Sequence, residues 1–124
     1  MISLEEMQIM LDEIANEFPQ ELFVKLNGGI ILLPQEKRNT RIERSSLFIL
    51  GEYYGGGNMG RYIAIYYGSF KRVFGHLSTE HFKTQLTKTL KHEFTHHLES
   101  LAGEKDLEIK DAKFIRDYLK RRNM

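Results

Sequence analysis

Three of the five histidines stand in one six-residue window, His92-Glu93-Phe94-Thr95-His96-His97. His92 and His96 are four apart in a stretch of helical pattern, so both imidazoles project from the same helix face. Two nitrogens placed that way can share one tetrahedral Zn²⁺ at ~2.0–2.1 Å. Glu93 follows the first of them directly, which sets its carboxylate beside the metal rather than on it. A general base must stand there to take a proton from metal-bound water. The chemistry expected of the window is therefore hydrolysis by activated water. The chain has no cysteine, which excludes disulfides, thiolate-held metals and thiol nucleophiles. Any metal falls to His, Asp and Glu.

A third ligand must be a carboxylate from nearby. Glu99 lies three residues after His96, and helical side chains lean back towards the N-terminus, so it can reach. Asp106 stands just past Gly103, where the chain can fold back over a metal. Asp111 falls on an apolar stripe of the last helix, where a carboxylate needs a partner. The order of preference is Glu99, Asp106, Asp111, with one of the others holding an imidazole from behind. His97 is turned ~100° from His96, towards the apolar arc, and reads as a hydrogen-bonded core histidine. His76 and His81 have no ligand spacing and read as structural.

The elements that position this window follow from periodicity and caps. Ser3 and Glu6 form a capping-box pattern, and Leu4, Met7, Leu11, Ile14 and Phe18 recur at helical spacing until Pro19. Leu22 to Leu26 and Ile30 to Leu33, joined through Asn27-Gly28-Gly29, read as a tight β-hairpin. Residues 34–46 read as an exposed loop, Leu47 to Tyr54 as a third strand, and Arg61 to Tyr67 as a fourth. Gly55-Gly56-Gly57-Asn58 is a hairpin connection; no Lys-Ser or Lys-Thr follows it, so it is not a phosphate loop. A long helix runs from Ser78 or Thr79 to a stop at Ala102-Gly103, with Phe82, Leu86, Leu90 and Leu101 as its core stripe. The last helix covers about residues 107–120, and the basic end Lys120-Arg121-Arg122 suits a helix C-terminus. The expected fold is α+β: an N-terminal helix, a small mostly antiparallel sheet, the long motif helix and a C-terminal helix.

The 124 residues suffice for one domain, 1–124, that buries enough surface to fold without a metal or disulfide. Eighteen Lys and Arg against 17 Asp and Glu leave a formal charge of +1, which speaks against a dedicated nucleic-acid binder. The start MISLEEMQIM has neither the basic residues nor the apolar run of a signal peptide. No aliphatic run approaches the ~20 residues of a membrane helix. The expected setting is the cytoplasm.

The stretch LKHEFTHHLESLAGEKD resembles the catalytic helix of the small bacterial zincin-like metallopeptidases, the minizincins. LFILGEYYGGG and IYYGSF upstream resemble the same family, so the likeness spans most of the chain. It implies a compact α+β fold, one zinc per chain and hydrolysis of peptide bonds, with a peptide or protein as substrate. Members of that family continue from the second ligand His with two residues, Gly, two residues and an Asp that is the third ligand. Here Glu99 stands at the Gly position and Ala102 at the Asp position. A Gly-x-x-Asp recurs at Gly103 to Asp106, displaced by about one helical turn or ~5–6 Å. Tyr118 is a candidate to pack beneath the site, since the only methionine after the motif is Met124. An extended substrate would add beside a sheet edge, with Arg61 to Tyr67 as first candidate. Two other readings stand beside the peptidase: an inactive metal-binding or protein-interaction module of the same fold, and a metal-dependent hydrolase of RNA or another non-peptide substrate.

Overall fold

The computed structural model describes residues 1–39, 47–56, 58, 60–104 and 109–121, with the backbone alone at 104 and 109–111. The first helix, α1 (Leu4–Glu17), starts at the expected capping box. The Glu6 amide donates to Ser3 Oγ at 3.1 Å, and the Ser3 amide donates to Glu6 Oε1 at 3.0 Å. Met7, Met10, Leu11 and Ile14 bury one face of it. Phe18 leaves the helix in extended conformation, as the residue before a proline must.

The expected hairpin does not form. Residues Gln20–Phe23 make a single 3-10 turn behind Pro19, and the chain passes through Lys25 at φ 59°. The amides of Leu26 and Gly29 then donate to the carbonyls of Phe23 and Leu26, at 3.1 Å each. An apolar run of five residues has no period that separates strand from turn. Burial decides: Leu22 and Leu26 enter the core, and Phe23 meets the Phe94 ring edge-on at 5.0 Å.

The sheet is three-stranded, in the order β1 (Gly29–Leu33), β3 (Arg61–Tyr66), β2 (Gly51–Gly55). β2 runs antiparallel to β3, with Tyr53 opposite Ile63, and β1 runs parallel to β3, with Ile31 opposite Ala64. The sheet is thus mixed rather than mostly antiparallel. Its central strand, β3, uses its backbone groups on both sides, so the expected substrate edge at Arg61 to Tyr67 is not an edge. The third strand is shorter than expected. Residues 47–49 pair instead with 37–39, through the Arg38–Phe48 bridge and the Ile49 amide on the Lys37 carbonyl at 2.7 Å.

β3 turns straight into an unexpected helix, α2 (Tyr67–Phe74), which buries Ser69 and Phe70. The long helix α3 (Thr79–Glu104) has 26 residues, ~39 Å of axis. Ser78 caps it, its hydroxyl accepting from the His81 amide at 3.2 Å. Phe82, Leu86, Leu90, Phe94, Leu98 and Leu101 fill the core against α1 and the sheet. α3 continues through Gly103, which does not take the left-handed cap expected of it. The last helix is α4 (Ile109–Arg121), anchored by Ile115.

β2 lies tightly on α3 because its end residues have no side chains. A Cβ at Gly51 would stand 3.2 Å from Thr89 Cγ2, and one at Gly55 would stand 3.2 Å from Ser100 Oγ. Thr89 and Ser100 bracket the motif, so these two glycines bring the strand beside it.

Candidate metal centre

His92 and His96 stand one turn apart on the exposed side of α3, and their rings meet edge-on. Their Nε2 atoms face each other at 3.0 Å. Nitrogens ~2.0–2.1 Å from one tetrahedral ion stand roughly 3.3 Å apart, so the pair already has the spacing of two ligands to a single Zn²⁺. Their donor type fits the same ion. Burial and the neighbouring His96 both push the His92 imidazole below its ordinary value, with Glu99 acting in the opposite sense. A neutral imidazole is the form that binds metal.

Glu93 lies on the inner side of the pair and is only 5% exposed. Burial, followed by the negative charge of Glu52, pushes its carboxyl up to about 7. A carboxylate near neutrality can both take a proton and give it up, as a general base must.

Glu52 was not singled out by sequence. It sits on β2 and accepts from Tyr66 Oη at 2.7 Å and Tyr54 Oη at 2.8 Å, with the Lys37 ammonium on the same oxygen. Burial alone would raise the Glu52 carboxyl; the bonds from Lys37, Tyr66 and Tyr54 outweigh it and hold the group below its ordinary value. Glu52 therefore stays charged and acts on Glu93. The signal was present in the sequence as a lone acid in the run LFILGEYYG, since a charge inside a strand needs partners.

His97 is fully buried and faces away from the pair. Its Nε2–H donates to the Val24 carbonyl at 2.7 Å, and Nδ1 accepts from the Tyr53 hydroxyl at 2.8 Å. It is the core histidine expected from its position, joining α3 to β2 and to the turn before β1.

The third-ligand candidates fare differently. Glu99 is exposed, and its Oε1 lies 3.8 Å from His96 Nδ1, the ring nitrogen turned away from His92. Asp106 lies outside the described residues, and Asp111 belongs to α4 with its side chain outside them. Among the described residues no group of three or more His, Asp or Glu gathers at one point. Tyr118 is half-buried, and its ring stacks on Phe114 with centroids 6.3 Å apart.

No family model matches this chain, and no curated protein does. A solved structure does: a conserved hypothetical protein from Thermo thermophilus, with 32% identity and a TM-score of 0.73. The match covers 82% of this chain and 99% of that one.

Proposed function

We propose, for a chain that belongs to the same family as that conserved hypothetical protein, a zinc-dependent metallopeptidase acting in the cytoplasm. The observation that carries this reading is the convergence of His92 Nε2 and His96 Nε2, 3.0 Å apart, beside a buried carboxylate. His92 and His96 would hold the ion, and a carboxylate would complete the set. When bound, zinc would supply a Lewis acid that makes water nucleophilic at neutral pH and polarises a peptide carbonyl.

The remaining work falls to the chain's own groups. Glu93 takes the proton of the attacking water onto its carboxylate and returns it to the leaving nitrogen. Burial beside Glu52 keeps that carboxyl close to neutrality, where both transfers are accessible. β2 offers the docking edge: among the described residues it pairs on one side alone, with β3, and it rests on α3 between Thr89 and Ser100. An extended peptide added to that edge runs past Glu93 and gains backbone hydrogen bonds whatever its side chains. No described helix is long and apolar enough to cross a membrane.

A second reading is an inactive zincin-like module that binds metal or a protein partner without turnover. It is favoured by the presence of only two converging ligands among the described residues. Digestion of an unfolded protein substrate, followed by mass spectrometry, separates the two. Cleavage that stops with 1,10-phenanthroline and returns with added zinc is the expected result. Zinc-loaded protein that cleaves nothing in such a mixture favours the inactive module. Cleavage indifferent to chelation contradicts the zinc reading.

A further inference from the structure

The two imidazoles of the pair are not held alike. With its Nε2 turned to His92, His96 presents Nδ1 to Glu99, whose Oε1 is 3.8 Å away. Glu99 is exposed, and 3.8 Å is an ion-pair distance between its carboxylate and the ring. The residue three positions after His92 is Thr95, whose hydroxyl is spent on the Lys91 carbonyl at 2.9 Å. Glu99 Oε1 therefore lies beside the ring nitrogen of His96 that does not face His92.

The chemistry of a neutral imidazole gives this placement a purpose. One ring nitrogen carries the proton and the other has the free lone pair, and a metal takes only the latter. A carboxylate beside Nδ1 favours the tautomer protonated there, which frees Nε2, fixes the ring and strengthens its lone pair. We propose that Glu99 is a positioning residue: it holds the Nδ1–H of His96 and so presents Nε2 to the metal, and it is not itself the third ligand. This inference rests on the zinc reading given above and deepens it.

The test uses the full-length chain and needs no substrate. Zinc affinity is measured by competition with a chromophoric chelator for the wild type, Glu99→Ala and Glu99→Gln. The Co²⁺-loaded proteins are compared by their visible spectra, which report the ligand set. The expected result is one zinc per chain in all three and an affinity about 10–100-fold weaker in Glu99→Ala. Glu99→Gln, which keeps an acceptor without the charge, should fall between, and the Co²⁺ band positions should stay unchanged. In the metal-free protein, ¹⁵N spectra of the histidines should show His96 losing Nδ1–H population in Glu99→Ala. Equal affinity in the wild type and Glu99→Ala overturns this inference alone. A changed Co²⁺ ligand field in Glu99→Ala makes Glu99 a ligand and overturns it as well. A wild type that takes up no zinc overturns the metal reading, and this inference with it.

Discussion

Glu93→Gln is expected to retain its zinc and lose peptide hydrolysis by a factor of at least about 10²–10⁴, the usual contribution of a positioned general base. The amide has nearly the shape of the carboxylate and fills the same buried site, so α3 and the histidine pair should stand as before. What it lacks is the ability to take a proton. Glu93 is held near neutrality by burial and by the charge of Glu52. An uncharged amide is favoured in that setting, so the variant should fold at least as stably as the wild type. Zinc content and thermal unfolding check the first half of the expectation, and initial rates on a peptide cleaved by the wild type check the second. If zinc and activity fell together, Glu93 would be holding the site rather than acting in it.

The second large effect falls on stability rather than chemistry. His97→Ala removes a ring that bonds both the Val24 carbonyl and the Tyr53 hydroxyl and leaves a cavity in the core. The cavity and the loss of both bonds together should cost roughly 3–5 kcal/mol. For a chain of this length that lowers the midpoint of thermal unfolding by about 10 °C or more. Tyr53→Phe should cost less, about 1–2 kcal/mol, since it leaves a single imidazole nitrogen without its donor. Urea unfolding of both variants measures the difference. Equal stability of His97→Ala and the wild type would mean that this histidine does not join α3 to β2.

Where order is local, the sequence was readable. The capping box at Ser3 and Glu6 and the 3.6-residue period of α1 and α3 depend on neighbours within one turn. So does the spacing that brings His92 and His96 together, and the inward turn of His97 follows from the same geometry. Pairing between distant segments was not readable in this way. Ile30 to Leu33 shows the composition of a strand, but nothing in it tells that its partner is Arg61 to Tyr66, parallel and some thirty residues on. The Asn27-Gly28 turn signal suggested a nearer partner, and it lost to burial of Leu22 and Leu26. The same non-locality hid the central place of β3, with β1 and β2 as the outer strands.

Glu52 illustrates a different limit. Its type and place announced a buried charge, but only the fold shows that Lys37, Tyr54 and Tyr66 converge on it and that its field reaches Glu93. Glu99 illustrates a third. Helical spacing allowed it to reach either nitrogen of the His96 ring, and only the side-chain direction puts its Oε1 beside Nδ1.

The most direct measurement is zinc by elemental analysis, on protein purified without added metal, for the wild type beside His96→Ala. The expected result is about one zinc per chain in the wild type and loss of it in the variant, because a lone imidazole at His92 cannot hold the ion. A wild type that carries no zinc and takes up none on titration would contradict the metal centre, and with it the peptidase.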